Sequence, residues 1–209
     1  MEEINIALPK LGKTSEIPEP YEYDYWKLRE KRIFYIDDSF IDPDDSIALA
    51  LSKSIINLNF EEISIAKDEL KPIYLFIHTC GGDAYSSNAL CDVIKASRIP
   101  IITVAMGRTL SAGFDIFIAG HKKYAFPHSQ LLVHSGNAEF GGTAEQMAEF
   151  QKNYKKMQEE SKKYILENTE IPETVFNKNS KKDWYLTSEE LIKYKVVDGI
   201  ITDLSTLFE

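Results

Sequence analysis

The stretch Ile73-Tyr-Leu-Phe-Ile-His-Thr-Cys-Gly-Gly-Asp83 decides the fold. Its aromatic and β-branched start reads as a strand, and its paired glycines read as a turn. Ala84 to Ser97 follows with Ala89, Leu90, Val93 and Ile94 at helical spacing, and Pro100-Ile-Ile-Thr-Val-Ala105 is a second strand. Strand, turn, helix and strand in that order favour a right-handed crossover and a parallel pairing. Upstream, the same grammar gives a strand at Arg32-Ile-Phe-Tyr-Ile36, an acidic loop over Asp37 to Asp45 and a helix over Ser46 to Leu58. Downstream it gives a short apolar helix over Ser111 to Gly120 and strands at Lys123–Phe126 and Gln130–His134. The fold class expected is therefore α/β, a largely parallel sheet with helices outside it.

Beyond Gly136 to Gly142, Thr143-Ala-Glu-Gln146 has the spacing of a capping box and opens a long helix to about Asn168. Its apolar positions Met147, Phe150, Tyr154 and Met157 form one stripe on an otherwise charged helix. The plainer expectation is that the stripe packs on its own domain, and the sharper one is that it packs on a neighbouring subunit. At the other end, Pro9, Pro18 and Pro20 among scattered acids and tyrosines mark residues 1–24 as an arm without its own core, leaving one domain over 25–209.

Composition narrows the function classes. The chain has 209 residues, of which 44% are hydrophobic and 27% charged, which fits one globular domain and excludes wholesale disorder. Its 24 basic and 33 acidic side chains leave a formal net charge of −9, which argues against a nucleic-acid partner. Cys80 and Cys91 are too few for a disulfide framework and lack the spacing of a zinc or redox pair, so no metal or cofactor is expected and a reducing compartment fits. The longest apolar run, Ile99 to Met106, is far too short to span a membrane. A soluble, cytoplasmic protein without a membrane partner is the resulting expectation.

Four pieces of sequence could carry chemistry. Ser111 stands where a strand enters a helix, and the small Ala112 and Gly113 behind it leave their backbone N–H groups approachable. The plainer reading of that serine is a helix N-cap. Gly81-Gly82 ends another strand, so an N–H from Gly82 and one from Ala112 could converge on a single oxyanion. A base is offered by His134 or His78, each at a strand end, whereas His121 and His128 read as surface residues. Asp183, ahead of an aromatic run that could bury it, could orient an imidazole, with Asp83 and Asp115 as rivals.

Taken in order, Gly-Gly, Gly-x-x-x-Ser, an apolar strand ending in His, and Asp before Trp184-Tyr-Leu-Thr-Ser-Glu-Glu-Leu resemble the ClpP family of serine peptidases. The resemblance runs from about Tyr25 to Leu204 and includes Trp26-Lys-Leu-Arg-Glu-Lys-Arg-Ile-Phe-Tyr, Ala125-Phe-Pro-His-Ser-Gln-Leu-Leu-Val-His and Tyr194-Lys-Val-Val-Asp-Gly-Ile. It implies a crotonase-like βαβ spiral with the long helix after the histidine strand. It implies Ser111 as nucleophile, His134 as general base and Asp183 as its orienting acid, with Gly82 and Ala112 at the oxyanion. It also implies cleavage of unfolded polypeptide or peptides through an acyl-enzyme, heptameric rings stacked as a tetradecamer, the long helix where rings meet, and an AAA+ unfoldase received at aromatic positions such as Tyr74 and Phe76.

Some residues depart from that family's pattern. Cys80 replaces a proline, Thr109-Leu110 replaces small residues, Gln130 replaces an arginine, and Ser135-Gly136 follows the histidine in place of Gln-Pro. Phe114 is bulkier than usual, and these changes are expected to crowd the site or its assembly contacts. Three other readings remain from the residues alone: a catalytically weak assembly subunit, an acyl-CoA enzyme of the crotonase type, and a cysteine hydrolase using Cys80 with His78.

Overall fold

The computed structural model describes residues 20–37 and 47–208. Most of the arm expected over 1–24 and nearly all of the acidic loop after Asp37 lie outside them. A helix, α1 (Pro20–Glu30), already begins inside the stretch read as the arm. Then come β1 (Ile33–Ile36), α2 (Ile47–Glu61), β2 (Ile73–Thr79), α3 (Ala84–Ala96) and β3 (Ile101–Leu110). They are followed by α4 (Ala112–Ala119), β4 (Lys122–Ala125), β5 (Gln130–Val133) and the long α5 (Ala144–Asn168). The chain closes with α6 (Glu173–Asn179), β6 (Trp184–Leu186), α7 (Ser188–Lys193), β7 (Gly199–Ile200) and a 3-10 turn, Leu204–Leu207.

The sheet runs β1-β2-β3-β4-β7 with every neighbour parallel. β5 joins β3 in parallel and carries β6 antiparallel on its far side. Period-2 alternation divides the side chains cleanly. Leu75, Ile77, Ile101 and Ala105 face the main core with Leu90 and Ile94 of α3 and Phe114 and Phe117 of α4. Phe76 and Val104 point the other way, into a smaller cluster with Ile201 and Leu207, against which Tyr35, Tyr74 and Tyr124 pack. Phe76 is buried and stacks on Tyr35 at 5.1 Å, whereas Tyr74 is only partly covered, edge-on to Phe208 at 4.9 Å.

Helix starts follow local chemistry. The Asp83 carboxylate accepts the Ser86 N–H at 2.7 Å and so caps α3, while Thr143 with Gln146 and Thr187 with Glu190 close capping boxes on α5 and α7. Along α5 only Ile165 is buried. The stripe toward its start packs in part on its own domain, with Phe140 stacked on Phe150 at 4.4 Å and the Tyr85 hydroxyl donating to Met157 Sδ at 3.6 Å, but Met147 stays 50% exposed.

β3 is longer than the apolar run predicts, which ends near Ala105. Gly107 explains the extension: at φ +62° it kinks the strand, and the register with β2 slips between Ile77 and Thr79. Before the kink β3 pairs β4 through Ile102–Ala105, and after it β3 pairs β5 through Arg108–Leu110. The His78 ring fills the space where a Gly107 side chain would stand, with Nδ1 3.0 Å from the Met106 carbonyl oxygen and 3.3 Å from the Arg108 amide. A Cβ on residue 107 would lie 2.5 Å from that nitrogen. Gly107→Ala is therefore expected to lower stability by about 2 kcal/mol or more through the forced φ and the displaced imidazole. Thermal unfolding of the variant measures this, and a melting point equal to that of the parent would contradict it.

Candidate active site

Strand register assembles the site. Leu110, the last residue of β3, pairs with Leu132 of β5, and the next amide, that of Ser111, donates to the Leu132 carbonyl at 3.1 Å. Val133 of β5 pairs with Trp184 of β6. In an antiparallel pair this sets the residue after Val133 opposite the residue before Trp184, so His134 and Asp183 face each other across the end of the ladder. Three positions distant in sequence thus meet at one corner of the sheet.

Ser111 does not cap α4. Its backbone is at φ +56° and ψ −126°, outside the region a side-chain-bearing residue prefers, and its hydroxyl makes no capping bond. The Oγ instead lies 2.7 Å from His134 Nε2, while His134 Nδ1 lies 3.2 Å from Asp183 Oδ1. An ionised carboxylate only accepts, so Nδ1 carries the proton, Nε2 accepts, and the Ser111 hydroxyl donates to it. Asp183 is 63% exposed against 21% for His134, so the aromatic run does not bury the carboxylate. Trp184 turns into the core and Leu186 with it, but Asp183 precedes the ladder and keeps its water.

The paired-glycine turn comes against this serine. Gly81, at φ +97°, lies so close that a Cβ there would stand 2.9 Å from Ser111 Cβ and 3.1 Å from the Ala112 amide nitrogen. Gly82 is the next residue in that turn, and Ala112 is the buried first residue of α4. The two strand-to-helix junctions therefore come together, and the closest approach is made by Gly81, a residue the sequence reading did not single out. The backbone of α4 is held from behind by Ser87, whose hydroxyl donates to the Ala112 carbonyl at 3.1 Å, and by Tyr164, whose hydroxyl donates to the Asp115 carbonyl at 3.3 Å.

The rivals fall into other roles. Asp83 is spent on the cap of α3, and the His78 imidazole is turned onto the β3 backbone, with no hydrogen bond to Cys80 among the described residues. His121 and His128 are on the surface as expected, though His121 Nδ1 also accepts the Ile101 N–H at 3.0 Å. Phe114, expected to crowd the site, is turned wholly into the core, and Thr109 is buried with its hydroxyl donating to the Ile77 carbonyl at 3.0 Å. Among the described residues no helix is long and apolar enough to cross a membrane, and no three His, Cys, Asp or Glu side chains gather as metal ligands would.

A hydroxyl, an imidazole and a carboxylate in this relay are the equipment of a serine hydrolase. Comparison with known proteins narrows the class. The pattern of the Clp protease family matches residues 24–203. The chain is 31% identical over 178 residues to ATP-dependent Clp protease proteolytic subunit 2 of Corynebacterium efficiens, an alignment covering 84% of this chain and 85% of that one. It is 30% identical over 191 residues to proteolytic subunit 1 of Corynebacterium jeikeium, covering 90% and 97%. The chain belongs to the Clp protease family, and its enzymatic class is serine-type endopeptidase. Membership does not favour an acyl-CoA enzyme or an assembly subunit without activity.

Asp115, one helical turn past Ser111, takes no part in the relay. Desolvation pushes its carboxyl from 3.8 up to about 7, in a neighbourhood it shares with Cys91 on α3 and Tyr164 on α5. The Cys91 thiol is itself raised to about 12, first by burial and then by Asp115. A carboxyl that titrates higher folded than unfolded binds more protons in the folded state, so its share of stability falls as pH rises from about 4 to 7 and is lowest above that. Asp115→Asn should therefore unfold at a higher temperature than the parent at pH 8, with the gap narrowing toward pH 5. Parallel melting curves at both pH values would remove this account of a desolvated carboxyl.

Proposed function

We propose that Ser111, His134 and Asp183 form the catalytic relay of an endopeptidase that cleaves unfolded polypeptide or peptides through an acyl-enzyme. The observation that carries the reading is the 2.7 Å contact between Ser111 Oγ and His134 Nε2 on a serine whose backbone is forced out of its usual region. In that reaction the Oγ attacks the peptide carbonyl while Nε2 takes its proton. The Asp183 carboxylate holds the Nδ1 proton and stabilises the imidazolium. The same Nε2–H then protonates the departing amine, the C–N bond breaks, and an ester to Ser111 remains. Water enters, gives its proton to Nε2 and attacks the ester, and the proton returns to Oγ as the acid leaves. Backbone N–H groups of Gly82 and Ala112 stabilise the two tetrahedral oxyanions, each contributing on the order of 10²–10³ in rate. Substrate would lie as an added strand, which reads backbone and tolerates many side chains.

The reading extends to a ring chamber. The relatives are named as proteolytic subunits of ATP-dependent proteases, and the Met147–Phe150 end of α5 leaves an apolar surface that a second copy would cover. Heptameric rings stacked as a tetradecamer fit that surface, and an AAA+ unfoldase is the partner suited to the partly covered aromatic face around Tyr74. Confinement in such a chamber would explain how a site of low sequence selectivity spares folded proteins, because only a threaded chain reaches it.

Ser111→Ala is expected to abolish hydrolysis of a fluorogenic peptide and adduct formation with a fluorophosphonate, while the size of the oligomer stays that of the parent. Unchanged turnover would defeat the assignment of the nucleophile. In solution the protein should sediment as a species many times 23.9 kDa. A monomer at working concentration would defeat the chamber while leaving the relay to stand.

A further inference from the structure

The carbonyl of Ser135, the residue immediately after His134, accepts two hydrogen bonds from one helix. Tyr154 donates its hydroxyl at 3.1 Å and Gln158 its Nε2 at 3.2 Å, four residues apart on the same face of α5. On its other side the Ser135 amide donates to the Ser180 carbonyl at 3.1 Å, and Ser180 ends α6 three residues before Asp183. The backbone of Ser135 is thus held on both sides of its Cα. Its N–H ties the loop of the base to the loop of the acid, and its C=O ties both to α5.

Among the described residues no other hydrogen bond holds the Ser135 backbone. His134 lies one residue past the end of β5, and Gly136 turns away at φ +75°, a conformation that adds no restraint of its own. The imidazole must keep Nε2 at 2.7 Å from Ser111 while Nδ1 reaches Asp183. Asp183, being largely in water, is a weak tether by itself. The restraint that remains comes through the backbone on either side of His134: the ladder before it and Ser135 after it.

We propose that Tyr154 and Gln158 are positioning residues for the peptidase reaction, clamping the Ser135 carbonyl so that His134 stands in line between Ser111 and Asp183. The inference rests on His134 being the general base. A carbonyl oxygen has two lone pairs, and here each is engaged by a separate donor. Loss of one donor leaves the other in place, so the two should back each other up rather than act independently. The apolar stripe to which Tyr154 belongs is therefore more than packing: the same helix that offers a surface to another copy reaches the residue next to the base.

The test uses the full-length chain and its isosteric variants. Tyr154→Phe keeps the ring stacked on Phe150 and removes only the hydroxyl; Gln158→Glu keeps the shape and replaces the donor with an acceptor. Tyr154→Phe alone should change kcat less than about threefold. The double variant should lose roughly 10- to 100-fold in kcat with KM little changed, as expected when a base is held off line without altering substrate contacts. The second-order rate of Ser111 labelling by a fluorophosphonate should fall in step, with the number of labelled sites per chain and the oligomer size unchanged.

A double variant that turns over and labels at the parental rate would overturn the proposal. So would a loss seen only as fewer labelled sites, each reacting at the parental rate, because that marks a purely structural contribution. Should the double variant be too unstable to assay, the comparison moves to Gln158→Leu in the Tyr154→Phe background, read by the same labelling rate per site. If the parent itself is not labelled at Ser111, the assignment of the nucleophile fails first, and that result is distinct from a labelled parent whose variants behave alike.

Discussion

Ser111 is held at a positive φ between two elements that cannot both be satisfied by an ordinary turn. β3 must end where its amide still reaches the Leu132 carbonyl, and α4 must begin at once so that the Phe114 amide can close on the Ser111 carbonyl at 2.8 Å. A non-glycine residue in such a conformation costs on the order of 1–3 kcal/mol, and it persists only where the surroundings over-determine it. Here they do. Phe114 is locked in the core, Gly81 backs onto the serine from the turn after β2, and Gly113 is pressed against Thr79 so closely that no side chain would fit. The strain is thus carried by the core, and its product is a hydroxyl aimed outward at an imidazole.

The electrostatics of the corner are lopsided. The nucleophile and base are mostly shielded, whereas the acid is in water, which weakens its Coulomb attraction through screening. Orientation therefore matters more than field strength in placing the imidazole, and orientation here is a matter of strand register. Pairing Val133 with Trp184 brings His134 and Asp183 opposite each other, and a slip by one residue would send their side chains to opposite faces of the sheet. Trp184 and Leu186, both buried, make such a slip costly.

Much of this was legible in the chain itself because it depends on local signals. Apolar runs and glycine pairs located β1, β2, α3 and α5, whereas spacing left His78 level with His134 and Asp83 and Asp115 level with Asp183, and only the likeness to the ClpP family singled out Ser111, His134 and Asp183. What periodicity could not register was the second half of β3, since Met106–Leu110 is a mixed run whose strand character comes from a partner, β5, that lies further along the chain. Nor could it foresee that Phe114 faces inward, because a bulky residue beside a nucleophile looks the same whichever way the helix is rotated. Burial of Asp183 was misjudged for a related reason: aromatic neighbours in sequence point to alternate faces of a strand, and Asp183 precedes that strand rather than joining it. Tyr154 was visible only as one member of a greasy stripe; its hydroxyl bond to Ser135 depends on how α5 folds back.

The 3-10 turn at Leu204–Leu207 and the ring of Phe208 cover the face of the sheet that carries Phe76 and Val104. Leu207 is buried there with Ile201 and Val104, and Phe208 meets Tyr74 edge-on. Leu207 and Phe208 are accordingly part of the lining of that face. A chain cut short before Leu204 would bare a row of tyrosines and isoleucines to water, trading a well-behaved solution for a sticky one.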